Sequence, residues 1–103
     1  MTVRHNRIDA YRPSTNDPMN ACLMIGMTGE DAVRDLLVEQ NYCNGGNYSI
    51  GIRPDIVAAN VLFRNNTFGR DYRYGILARY ARSGISWDRA TNTWFDNGEA
   101  VFP

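Results

Sequence analysis

A chain of 103 residues and 11.7 kDa builds one small hydrophobic core and no second one. With 44% apolar, 12% aromatic and 21% charged residues, it is excluded from the disordered, coiled-coil and collagen-like classes. Eleven cations balance eleven anions, so no global field steers the chain to nucleic acid.

The charges are nevertheless segregated. Residues 14–52 hold Arg34 against Asp17, Glu30, Asp31, Asp35 and Glu39, one cation to five anions, net −4. Residues 53–89 hold seven arginines against Asp55, Asp71 and Asp88, net +4. Every cation is Arg, the residue suited to planar, bidentate contacts with phosphate, guanine edges or carboxylates. The longest apolar run, residues 21–27, reaches about a third of the roughly 20 residues needed to cross a bilayer, so no membrane partner is expected. Met1 to Asp9 carries polar and charged groups where a signal peptide is apolar, which reads as a cytoplasmic protein with Cys22 and Cys43 as reduced thiols.

In chain order, Pro13 and Pro18 around Ser14, Thr15, Asn16 and Asp17 predict an extended arm and a loop. The apolar run at 21–27 suits a short buried strand or a buried helical turn, and residues 1–27 are set apart from a domain over 28–103. Thr28 with Asp31 approximates a capping box, Ala32, Val33, Leu36 and Leu37 share a helical face, and Asn44-Gly45-Gly46 is a stop, which predicts a first helix over 28–42. Tyr48–Ile52 alternates as a strand, and Pro54 with Asp55 opens a second, buried helix to Phe63. Residues 70–82 place Tyr74, Ile76, Leu77, Tyr80 and Ala81 on one arc. They also alternate as a strand would, and the Ser83-Gly84 stop favours a third helix. Ile85-Ser86-Trp87 and Thr93-Trp94-Phe95 flank a turn-prone stretch and predict a hairpin with Trp87 and Trp94 as a cross-strand pair. Residues 100–102 predict a third short strand, and no internal repeat is read.

This order of elements, an α+β class with about three helices and a C-terminal hairpin, resembles a winged helix-turn-helix domain over residues 28–96. The resemblance implies a third helix in the major groove of double-stranded DNA, with Arg70, Arg73, Arg79 and Arg82 on phosphates or base edges and Arg89 on the wing. It also implies a possible homodimer matched to a two-fold site, although no exposed apolar stripe supplies the interface.

Catalytic sets are thin. Cys22 has only His5 as a candidate base; His5, Cys22 and Cys43 lack zinc-ligand spacing; and Gly45-Gly46 lacks the further glycines and Lys of a phosphate loop. An Arg–Tyr set of Arg73, Tyr74, Arg79 and Tyr80 could support weak RNA cleavage. The expectation is therefore a non-catalytic DNA-binding regulator without cofactor or metal. The alternative is a small protein-binding inhibitor, such as a phage-encoded anti-CRISPR, that uses Glu30, Asp31, Asp35 and Glu39 of the first helix.

Overall fold

The computed structural model describes residues 1–10, 21–25, 32–53, 56–77 and 84–103. Among them there is no α-helix, and the strands fall into three parallel sheets. The first sheet stacks β1 (Thr2–Arg4), β4 (Ala32–Glu39), β7 (Val57–Arg64) and β10 (Ile85–Trp87). The second stacks β2 (Arg7–Ala10), β5 (Tyr42–Gly45), β8 (Thr67–Phe68) and β11 (Thr93–Trp94). The third stacks β3 (Leu23–Ile25), β6 (Tyr48–Ile52) and β9 (Gly75–Leu77). The chain visits the sheets in rotation and pairs each strand in parallel with its counterpart one turn later, which is the architecture of a parallel β-helix.

Period-two alternation explains the strands. Leu36 and Val38 of β4, Val61 and Phe63 of β7, and Trp87 of β10 turn inward and are buried, while the residues between them face out. Register then stacks like on like: Val3, Val38, Phe63 and Trp87 form one column, and Ile8, Cys43, Phe68 and Trp94 a second. Leu23, Ile50 and Leu77 form the third. The Trp87 ring lies 5.6 Å from Phe63 and 5.5 Å from Phe68, so it fills the core between two sheets.

The turn from the first sheet to the second is set by asparagines. Asn6, Asn41, Asn66 and Asn92 occupy the same corner of successive rungs. The Nδ2 of Asn6 donates to Asn41 Oδ1 (3.1 Å), Asn41 Nδ2 to Asn66 Oδ1 (3.1 Å), and Asn66 Nδ2 to Asn92 Oδ1 (2.9 Å). Each receiving Oδ1 also accepts the backbone N–H of the asparagine before it. The residue ahead of three of them, His5, Gln40 and Asn65, has φ near +56 to +59°, the left-handed kink that turns the corner. A second column of positive φ, Asp35, Asn60 and Gly84, bends the first sheet. There Gly84 is required, because a Cβ would run into the Ala58 carbonyl.

The last rung is closed by the chain's own C-terminal segment. Ala100 bridges Thr93, Val101 N–H donates to Asn92 C=O, and Trp87 Nε1 donates to Val101 C=O at 2.9 Å. Val101 is fully buried against the core. Near the other end, Cys22 and Cys43 form a disulfide between the first and second rungs, which corrects the expectation of reduced thiols.

The α+β, winged-helix expectation is overturned. Residues 32–39 of the first predicted helix form β4 and its last residue, 42, opens β5; residues 57–63 of the second belong to β7, and 75–77 of the third are β9. The predicted hairpin is also absent: β10 and β11 lie in different sheets, each parallel to the rung before it, and Trp87 and Trp94 do not pair. Ala100 makes only an isolated bridge, not a strand. Short apolar runs fit a period of 2 and a period of 3.6 alike, and pairing with a segment some 25 residues away chose the strand. Thr28, Pro54 and Ser83, the proposed caps and stop, lie outside the described residues. The strand read at 48–52 is present with those bounds, and β3 falls inside the apolar run at 21–27. Among the described residues, no helix is long and apolar enough to cross a membrane.

Two outcomes test this account. Asn66→Ala removes a buried amide that satisfies Asn41, Val38 and Asn92 at once and leaves their groups unpaired. It is expected to cost about 2–4 kcal/mol in urea unfolding, and a loss within about 0.5 kcal/mol refutes the ladder's role. Reducing Cys22–Cys43, which spans 21 residues, is expected to lower stability by about 3 kcal/mol on the loop-entropy model, read as a drop in melting temperature with reductant.

Candidate functional site

The corner between the second and third sheets departs from regularity in the third rung. Phe68 aligns with Cys43 and Gly75 with Tyr48, so the chain takes seven steps where the previous rung takes five. The two-residue excess pushes residues 69–74 outward as a ridge. It is tied down by Gly69 N–H to Cys43 C=O (2.9 Å), Arg73 N–H to Gly46 C=O (2.9 Å) and Tyr74 N–H to Asn47 C=O (2.8 Å). Arg70, Asp71, Arg73 and Tyr74 all emerge exposed.

Asn44 organises the base of the ridge. Buried beneath Gly69, it donates Nδ2 to Asp71 Oδ2 (3.0 Å) and to Asp9 Oδ1 (3.3 Å), and its Oδ1 accepts Asp71 N–H (3.2 Å). One amide thus carries two carboxylates from rungs one and three. Gly69 permits this approach, since a Cβ there would collide with the Asn44 side chain.

Aromatic rings flank the carboxylates. Tyr48 of β6 lies 5.8 Å from Tyr74, which is 63% exposed, and the Arg73 guanidinium sits 5.7 Å from the Tyr74 ring. On the second sheet, Arg7 lies 4.3 Å over Tyr42, and Phe95 meets Tyr42 edge-on at 5.1 Å while remaining 62% exposed. Arg70 lies 4.0 Å over Trp94, whose ring also stacks on Tyr72 at 6.2 Å. Arg70 is fixed in that place by Asp96 (2.7 Å). An exposed ion pair of this kind adds little stability, and its effect is to orient the guanidinium over the indole.

Hydrogen bonding from Arg70 holds the Asp96 carboxyl below the usual carboxylate range and raises Arg70 further above its own. Because the folded-state pKa of Asp96 is depressed, the contact's contribution is present above its unfolded pKa, about 4, and is lost as pH falls through the folded value.

The residues singled out in the sequence are only partly brought together. Arg70 and Arg73 share the ridge, while Arg89 sits in the turn after β10 with its guanidinium 5.0 Å from the Phe102 ring. Arg79 and Arg82 lie outside the described residues, as do Glu30 and Asp31. Asp35 and Glu39 stand on a strand, where Asp35 accepts from Asn60 Nδ2 (2.8 Å) and Glu39 is buried against Arg64 (3.0 Å) with Arg4 nearby. They do not form the acidic helix face expected of them. Asp9, Asn44, Tyr48 and Asp71 were not recognised as candidates. Their signal is the register of the rungs, which no local window contains.

Among the described residues, no cluster of three or more His, Cys, Asp or Glu could hold a metal ion. A cavity of about 310 Å³ beside Met1, Val3 and Met24 has, among the described residues, Arg34 as its one charged side chain in an otherwise apolar lining. Comparison with protein-family models, with curated proteins and with solved structures returns no match to this chain.

The ridge electrostatics are checked by NMR titration of the Asp96 carboxyl. Its midpoint is expected below that of an ordinary aspartate in the native chain and higher in Arg70→Gln than in the native chain; identical midpoints contradict the assigned contact.

Proposed function

We propose that this chain is a non-catalytic binding protein whose corner ridge holds a neutral, polyhydroxylated polymer, that is, a glycan. The observation that carries this reading is the composition of the ridge and the sheet beside it. Exposed rings at Tyr48, Tyr74 and Phe95 are interleaved with three guanidiniums, Arg7, Arg70 and Arg73, and three carboxylates, Asp9, Asp71 and Asp96, so the described residues of this surface balance cation against anion.

A sugar presents C–H faces that stack on aromatic rings and hydroxyls that need both donors and acceptors. Guanidinium and carboxylate side by side, with side-chain positions fixed by Asn44 and Trp94, supply both. A nucleic acid draws most of its affinity from uncompensated cations on phosphates, which three aspartates on the same surface oppose. The stack adds rigidity and repeat, since rungs recur every ~4.8 Å and present successive groups along a line. The Cys22–Cys43 bond supports a place in an oxidising compartment in preference to the cytoplasm.

Affinity electrophoresis through gels containing soluble dextran, glucomannan or xylan tests this. Retardation is expected in at least one gel, insensitive to salt, and weakened roughly tenfold or more by Tyr74→Ala or Asp71→Ala in variants that melt as the native chain does. No retardation in any gel, together with salt-sensitive binding of oligo-dT, overturns the reading in favour of single-stranded nucleic acid.

A further inference from the structure

Two asparagines in this chain are followed by glycine, Asn44-Gly45 and Asn97-Gly98. In such a pair no side chain shields the glycine amide nitrogen, which can attack the asparagine side-chain carbonyl where the backbone is free to bring the two atoms together. Every other asparagine precedes a residue whose side chain hinders that approach.

The fold treats the two pairs in opposite ways. Asn44 is buried and its amide is held on both sides: Nδ2 donates to Asp71 Oδ2 (3.0 Å) and Asp9 Oδ1 (3.3 Å), and Oδ1 accepts Asp71 N–H (3.2 Å). Gly45 is buried too, opposite Ala10 in the ladder, and its C=O accepts the Ser49 hydroxyl (2.9 Å). Asn97 and Gly98, by contrast, are both exposed in the turn after β11. Nothing lies within 4 Å of a Cβ placed on Gly98. Two bonds bear on the reacting groups, Gly98 N–H to Trp94 C=O (2.8 Å) and Glu99 N–H to Asn97 Oδ1 (2.9 Å). Both belong to a surface turn, where local opening costs little.

We propose that Asn97 is a modification site, converted through a cyclic imide to aspartyl and isoaspartyl residues without an enzyme, and that the conversion loosens the Asp96–Arg70 contact and so weakens the ridge's hold on its glycan. The last step rests on the glycan reading, and the chemistry at Asn97 does not.

The Gly98 amide gives up its proton and its nitrogen bonds to Asn97 Cγ. The Cγ–Nδ2 bond breaks, and Nδ2 leaves with that proton as ammonia. Water then adds to one of the two imide carbonyls. Cleavage of the new bond to Cγ gives aspartate. Cleavage at the Asn97 main-chain carbonyl gives isoaspartate, in which the chain continues through the former side chain.

Either product sets a new carboxylate beside Asp96, the residue that fixes Arg70 over Trp94. A like charge there disfavours the ionised Asp96 and competes for the guanidinium. The isoaspartyl form also adds a carbon to the main chain within the turn that the Trp94–Gly98 bond closes, and Phe95 and Asp96 are carried on that turn.

The test ages the purified protein in warm, mildly alkaline buffer and maps its peptides by mass, which reads the exchange of an amide NH2 for OH. Asn97 is expected to convert about tenfold or more faster than Asn44 in the folded chain, and the two are expected to converge in urea. Equal rates at the two sites in the folded chain, or no conversion at Asn97 under conditions that convert it in urea, overturn the proposal. Asn97→Gln, which would need a larger ring, is expected to resist ageing at this position. In aged native protein the Asp96 carboxyl is expected to titrate higher than in fresh protein, a readout that involves no glycan. Gel retardation is expected to weaken on ageing in the native chain and to hold in Asn97→Gln. An unchanged Asp96 midpoint overturns the effect on the ridge. Fresh protein that no glycan gel retards overturns the glycan reading alone, and the mass and titration results still decide the modification and its effect on Asp96.

Discussion

The asparagine ladder at one corner is the constraint on which the rest of this structure depends. A parallel β-helix must turn its backbone away from one sheet into the next at the same place in every rung, and each turn strands polar groups beside the core. Here the side-chain amides of Asn41, Asn66 and Asn92, all buried, replace the missing partners. Asn66 Nδ2 caps Val38 C=O and Asn92 Nδ2 caps Phe63 C=O, so each amide ties its own rung to the strand before it as well as to its neighbour in the ladder. Because every link runs in the same sense, the amides polarise one another. At the far end Asn92 Nδ2 finds no further asparagine and turns to Asp88 C=O, which terminates the row without an orphan.

From that corner the hydrophobic columns follow. Once Asn41 and Asn66 are in register, Val38 must lie over Phe63 and Cys43 over Phe68, and the core becomes a stack of equivalent positions. The candidate site lies at the next corner, which no such ladder constrains. There the third rung can bulge by two residues, and the bulge is what lifts Arg70, Asp71, Arg73 and Tyr74 clear of the sheets. Asn44 performs the local equivalent of the ladder, but it reaches up to Asp9 and across to Asp71 rather than to another asparagine. The asparagine corner thus carries stability, while the bulged corner beside it presents the exposed side chains.

Part of this was legible in the sequence. Tyr48–Ile52 reads as a strand because its alternation follows the glycine pair Gly45-Gly46. Gly84, which reads in the sequence as a helix stop, does carry a positive φ, although it bends a sheet and does not end a helix. The repeat was missed, yet it is there: an inward apolar residue, two others, Asn, one other, and a second inward apolar residue. It appears as Val3-Asn6-Ile8, Val38-Asn41-Cys43 and Phe63-Asn66-Phe68, and in stretched form as Trp87-Asn92-Trp94. Its period shifts from 35 to 25 residues between successive rungs, so no fixed-length comparison detects it. Arg70 and Arg73 were nominated for their charge, while their neighbours Asp9, Asn44 and Tyr48 come from other rungs and become neighbours only through stacking. The apolar residues within 32–37 and 56–62 satisfy both periodicities, and the contact that decides for strand lies a full rung away.

The unequal rungs carry a consequence for how such a chain can change. Between Trp87 and Asn92 the last rung spends two residues more than Phe63 and Asn66 require, and Asn92 still docks in the ladder at full burial. The corners therefore behave as slack in the thread, and the inward columns alone keep count. Length can be added or trimmed at a corner without moving any core side chain, so surface chemistry in this molecule is free to drift faster than its architecture.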